Sequence, residues 1–300
     1  IKRQIEHLEN QLRLVFVLID FSEQQRKKNT DLICHSPYTD RNFQTKSLLM
    51  LGNLRKMRVE LDAASNRVNY QLRLGDESLP LNDLIGQHLE LEHTGNIHCL
   101  NCSKKTKKSF SQGYCFPCMR KLAACDMCIM KPETCHHAEG TCREPDWGEA
   151  HCMIPHYVYL ANTSGLKVGI TRHTQIPTRW IDQGATQAMP IFKVKTRLLS
   201  GLVEVALAEF IADKTNWRAM LKGDTVEVDL KAMAEELKPK IAEKLQDIQL
   251  QYGEDAIEEL DADLVNLDYP VSAYPKKIAS HNFESKLWSR VCYKGSRGNI

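Results

Sequence analysis

Two Cys-x2-Cys pairs, Cys99–Cys102 and Cys115–Cys118, stand twelve residues apart. Each pair can offer two thiolates to one edge of a tetrahedron, so the spacing is that of a four-thiolate zinc ribbon, closed and structural rather than catalytic. Metal binding of ~10–16 kcal/mol can fold such a segment outright, and the segment has little aliphatic core of its own. Five more cysteines follow, Cys125, Cys128, Cys135, Cys142 and Cys152, with His136, His137 and His151 close by. Four ligands drawn from these cysteines, or from them and His136, make a second closed zinc site, with a ligand left over. Disulfides are the alternative. Paired Cys-x2-Cys spacing without a secretory signal favours metal in a reducing compartment and hence a cytoplasmic protein. A redox Cys-x2-Cys would need a strand-to-helix context that the sequence does not supply. Cys34 and Cys292 stand apart as plain thiols.

A net charge of +2 over 300 residues implies no partner by itself; its distribution does. Lys104, Lys105, Lys107, Lys108, Arg120 and Lys121 share a stretch, Cys99 to Lys121, that holds no acid. Such a stretch is a candidate phosphate-contacting surface. Asp224 to Asp263 is acidic and reads as a solvated helical face. The longest early apolar run, Leu14 to Ile19, is too short to cross a bilayer.

Downstream of the cysteines, the run around Tyr157 and Tyr159 is β-prone, Asn162 to Gly165 supplies turn residues, and Leu166 to Thr171 reads as the returning strand. Tyr157 and Tyr159 project to one face, as do Lys167 and Gly169. A helix opening at Pro177 carries Arg179 in its first turn, and an amphipathic helix over Gly201 to Asp213 carries Glu204 and Glu209. The order is Tyr, Lys-Val-Gly, Arg, Glu.

That order resembles the GIY-YIG nuclease superfamily, with Tyr157-Val158-Tyr159 and Lys167-Val168-Gly169 in place of its two triplets. The resemblance implies a small sheet flanked by helices and metal-dependent cleavage of phosphodiesters. It places Tyr159 as the signature tyrosine, Arg179 as the phosphate-binding arginine and Glu204 as the ligand of Mg²⁺ or Mn²⁺; Asn216 falls where many members have a late Asn. The first Gly is replaced by Tyr157 and the second triplet's Tyr by Lys167. Chemically, a guanidinium can grip a phosphate bidentately, and Mg²⁺ typically takes only one or two protein carboxylates. A phenol of pKa near ~10 needs a cation such as Lys167 beside it to serve as a base. Arg172, just past the returning strand, joins the phosphate-contacting set. The chain from about Met50 to Gly223 also resembles an uncharacterised bacterial family that joins a Cys-rich module to a GIY-YIG-like segment.

The expected class is α+β: a small antiparallel β module over 50–97, a Cys-rich zinc-binding module over 98–153, a GIY-YIG-like domain over 154–223 and an acidic helical region over 224–285. In the β module, Met57, Val59 and Leu61 alternate with polar residues, and Val68, Tyr70, Leu72 and Leu74 do so again. Ile191 to Thr196 is expected as a strand, Asp229 to Gln251 as helix interrupted at Pro239, and Asp255 to Val265 as a short helix. Residues 1–49 are expected to be a non-native or disordered extension ahead of a start at Met50, with Ile1 to Asp20 able to form an amphipathic helix. Residues 286–300, which lack periodicity, are expected to be a frameshifted tail; one frame away, permitted codons spell a Gly-Ile-Lys-Gly-Gln-Tyr-like ending found in the resembled family. Three functions are in view: a Mg²⁺- or Mn²⁺-dependent endonuclease acting on DNA or RNA, a nucleic-acid-binding module without catalysis, and a zinc-stabilised protein-interaction scaffold, none of them involving a membrane.

Overall fold

The computed structural model describes residues 15–20, 47–211, 216–283 and 286–298. Its architecture is mixed helix and antiparallel sheet. The first six strands are β1 (Val15–Asp20), β2 (Ser47–Gly52), β3 (Leu54–Asp62), β4 (Arg67–Leu74), β5 (Glu77–Pro80) and β6 (His88–His93). Strands β3, β4 and β5 form a meander whose inward residues Val59, Val68, Tyr70, Leu74 and Leu79 follow the expected alternation. In the cysteine module, β7 (Ile97–His98) pairs with β8 (Lys105–Thr106), followed by the short helices α1 (Phe116–Lys121) and α2 (Pro145–His151).

The expected hairpin is present as β9 (His156–Asn162) and β10 (Leu166–Arg172), followed by the single turn α3 (Thr178–Asp182), β11 (Gln187–Val194) and α4 (Arg197–Ala208). Helix α4 starts four residues before the expected Gly201, because the Thr196 hydroxyl caps it by accepting from the Leu199 N–H at 3.4 Å. Further on come α5 (Trp217–Leu221), α6 (Leu230–Lys240), α7 (Ala242–Tyr252), β12 (Ile257–Glu259), β13 (Val265–Asn266) and β14 (Trp288–Cys292). Pro239 lies inside the last turn of α6, and the helix breaks just beyond it at Ile241. The short helix expected over Asp255–Val265 is not formed. Ile257 instead pairs with Val194 and Val265 with Ala188, so that β12 and β13 extend the hairpin sheet along β11.

The central sheet runs β10-β9-β11-β12, with β13 also on β11, and β9 is buried on both faces. Val158 and Leu160 point into a cluster with Leu199, Val203 and Leu207 of α4 and Leu230 and Leu237 of α6. Tyr159 and Ala161 point the other way, into a second cluster built with Trp180, Ile181, Tyr70, Leu74 and Leu84. The β module and the hairpin sheet therefore share one core. Lys56 of β3 is also ion-paired with Asp182 of α3.

Within the segment set apart as an extension, Val15–Asp20 is a strand held between β2 and β6, not the end of a helix. Its alternating Val15, Val17 and Ile19 suit a pleated strand. The rest of that expected helix lies outside the described residues, and β2 runs through Met50. In the tail, β14 pairs with β6, and Arg297 is buried, donating to the carbonyls of Gly184 (3.0 Å) and Thr163 (2.7 Å). Among the described residues no helix is long and apolar enough to cross a membrane.

Candidate active site and metal centres

Register brings the first group together. Tyr159 of β9 stands opposite Gly169 of β10, and the ring lies so close over that glycine that a Cβ there would fall 2.6 Å from the phenolic oxygen. The Tyr159 hydroxyl donates to Gln183 Oε1 at 2.6 Å, and its ring meets Trp180 edge-on at 6.0 Å. Burial pushes the phenol up to about 12; Arg179, which hydrogen-bonds to it, pulls the other way, and the charge of nearby Glu204 adds to the rise. Tyr159, Arg179 and Glu204, far apart in sequence, therefore lie within electrostatic reach of one another.

Lys167 stands opposite Ala161, one step along the same face from Gly169, and Arg179 hydrogen-bonds to the phenol. With burial the dominant influence, Tyr159 remains protonated at neutral pH and is a hydrogen-bond donor rather than a base. Arg179 itself is exposed, and Lys167, Arg172 and Glu204 are half-buried, so an open face lies above the buried tyrosine. Gln183, which the sequence reading passed over, lies one turn after Arg179; that i, i+4 spacing was the available signal. Asn216 caps α5, accepting from the Ala219 N–H at 3.1 Å.

The four cysteines of the paired motif converge. Their sulfurs all lie within 4.8 Å of one another, and Cys102 and Cys115 are 3.8 Å apart, the separation that tetrahedral bonds of ~2.3 Å to zinc require. Burial raises the Cys99 thiol, but backbone N–H groups of Cys102, Cys115 and Asn101 outweigh it and bring it down to about 6, favouring the thiolate that a metal needs. This cluster could hold a metal such as zinc. Lys104, Lys105, Lys107 and Lys108, between the two cysteine pairs, are all exposed.

The remaining cysteines divide. Cys135 is held down to about 5 by a hydrogen bond from Cys152, whose own thiol is raised in return. Burial raises Cys128, and the charges of Asp126, Cys135 and Cys142 add to the rise. Burial raises Cys125, while a hydrogen bond with Ser111 and the charge of Arg143 pull the other way. His136 joins Asp126 and Cys128 in a trio whose donor atoms lie within 4.8 Å; Asp126, unremarked in the sequence, sits between the cysteines of a Cys-x2-Cys.

The cysteine module is tied to the helix that carries Glu204. The Arg197 backbone N–H donates to the Cys152 carbonyl (2.7 Å), its guanidinium donates to the Ile129 carbonyl (2.7 Å), and Gly201 lies flat against the backbone of Pro132 and Glu133. Arg197, Gly201 and Glu204 recur at i, i+4 and i+7 and so share one stripe of α4. A concavity of about 750 Å³, lined by Asn162, Thr186, Gln187 and Asn266, contains none of the candidate residues.

A family described as a protein of unknown function, DUF2797, matches residues 86–299. The chain belongs to that family. No curated protein and no solved structure matches the chain. The matched span takes in both the cysteine module and the Tyr159–Arg179–Glu204 group, so the two belong to one family unit.

His156, at the start of β9, has a pH consequence. It is fully buried, its Nδ1 is bonded to the Ile154 carbonyl at 2.7 Å, and burial pushes it down to about 4. Its folded pKa lies below the unfolded value, so its contribution is fully present above pH ~6.5 and is lost as pH falls toward 4. Acidification across that window should cost about 3 kcal/mol. Urea unfolding at several pH values measures this, and a pH slope unchanged by His156→Leu would refute it.

Proposed function

We propose that this protein is a zinc-containing, metal-dependent endonuclease of GIY-YIG type acting on nucleic acid in the cytoplasm. The observation that carries the reading is the meeting of Tyr159, Arg179 and Glu204 around the Tyr159–Gly169 contact. Glu204 is half-buried and near a cation that can take a phosphate, which suits a carboxylate holding Mg²⁺ or Mn²⁺ through one protein ligand. The ion would supply charge neutralisation at the phosphoryl oxygens.

The chain's own residues do the rest. Arg179 grips a non-bridging phosphate oxygen from its exposed position. Tyr159 stays neutral, and its bonds to Gln183 and Arg179 hold that guanidinium in place. Gly169 leaves room for the ring. Cys99, Cys102, Cys115 and Cys118 would hold one zinc, and four ligands from Cys128, Cys135, Cys142 and Cys152 or with His136 a second, which would brace the module against which α4 is set.

The complete burial of Tyr159 favours a second reading, a nucleic-acid-binding protein without catalysis, in which Arg179, Arg172 and the ribbon lysines contact phosphates. The discriminating experiment incubates labelled single- and double-stranded DNA and RNA with Mg²⁺ or Mn²⁺. Cleavage by the wild type that falls about 100-fold in both Glu204→Ala and Arg179→Ala supports the endonuclease. Binding without cleavage supports the second reading, and neither leaves a zinc-stabilised interaction scaffold.

A further inference from the structure

On the ribbon, Phe116 leaves 50% of its surface in solvent although nothing in its chemistry favours that. Its ring is braced edge-on by Phe110, with centroids 5.5 Å apart. A cation flanks each ring: the Arg120 guanidinium is 5.8 Å from the centre of Phe116, and Lys108 Nζ is 5.6 Å from that of Phe110. Exposed Lys104, Lys105 and Lys107 continue the charge, and no acid lies between Cys99 and Lys121 to oppose it.

We propose that this face of the ribbon binds single-stranded nucleic acid, with a base stacked on Phe116 and the backbone phosphates met by Arg120, Lys108 and the neighbouring lysines. An exposed aromatic ring with cations beside it satisfies both halves of a nucleotide, the flat base and the anionic phosphate. A duplex keeps its base faces inside its own stack and cannot use the ring, so the platform selects unpaired strands. The run of lysines suits a polyanion with repeated charges rather than a single acidic side chain. The ribbon is rigid where it matters, because Phe116 follows metal-cluster Cys115 directly and Phe110 is joined to Tyr114 by backbone hydrogen bonds at 2.8 Å.

The inference rests on the nucleic-acid reading above but uses different residues, so the two can fail separately. The experiment is fluorescence anisotropy of the metal-loaded full chain with labelled oligothymidine, oligouridine and a blunt DNA duplex, over a range of salt. Phe116→Ala should weaken binding to the single strands about tenfold and leave duplex binding unchanged, while Phe116→Tyr restores it. Lys107→Ala with Lys108→Ala should flatten the dependence of affinity on salt. Metal content of each variant reports whether the ribbon is intact, and Arg120→Gln, which leaves both rings in place, gives an independent several-fold loss. Single-strand binding indifferent to Phe116→Ala and Arg120→Gln overturns the platform; if cleavage still depends on Glu204, the proposed function survives it. Failure to bind or cut any of the oligonucleotides overturns both and points to an acidic protein as the partner of this face.

Discussion

Removing metal should unfold the ribbon, residues 97–122, while leaving the hairpin sheet standing. Within that stretch only Ile97, Cys99 and Gly113 are buried, far too little apolar area to offset the entropy of ordering roughly two dozen residues at about 1–2 kcal/mol each. A metal held by the four thiolates would supply the missing stabilisation, of the order of 10 kcal/mol. Hydrogen exchange with and without chelator is the measurement: protection should vanish across β7, β8 and α1 and persist in β9 and β11. Cys102→Ser should mimic the chelator. Unchanged protection in the ribbon after verified removal of metal would show that the four thiols are not its scaffold.

Gly201→Ala is the second large effect. A Cβ there would sit 2.3 Å from the Glu133 backbone nitrogen and 2.7 Å from the Pro132 carbonyl carbon. Backbone cannot swing aside as a long side chain can, so α4 must lift off the turn. That motion disturbs the Arg197 bonds to the Cys152 and Ile129 carbonyls and draws Leu199 and Val203 out of their cluster. We expect a loss of about 4 kcal/mol, at the upper end for one substitution. Glu204 shares the stripe and moves with it, so activity should fall even at temperatures where the variant is folded. The control is Val205→Ala, at an exposed position of the same helix, which should change the unfolding midpoint little. A Gly201→Ala protein as stable as the wild type would mean that the helix does not rest on the cysteine module.

The features legible in the sequence are those whose cause is local. Alternation and a turn mark the β9–β10 hairpin, and the Cys-x2-Cys spacings mark the thiol cluster. What escaped depends on partners distant in the chain. Ile257 is a strand residue only because Val194, far back in the sequence, offers it an edge, and composition alone made 255–265 look helical. The pairing of Tyr159 with Arg179 follows from how α3 packs over the sheet. The entry of Asp126 beside Cys128 likewise depends on how short 3-10 turns between Ala123 and Thr134 aim their side chains. Burial of Tyr159 was illegible for the same reason: residues that cover it, Tyr70 and Leu74 among them, belong to the β module on the far side of the cysteines.

That shared core has a topological implication. Because strands from 54–91 and from 156–194 close on one another, everything between them is topologically a loop, however much structure it contains. Closing a loop costs only about 0.6 kcal/mol more for each doubling of its length. A change in the length of residues 97–122 should therefore cost the core beneath them little. The points that have to stay in place are those that hold α4: the turn at 132–134 and the carbonyls of Ile129 and Cys152.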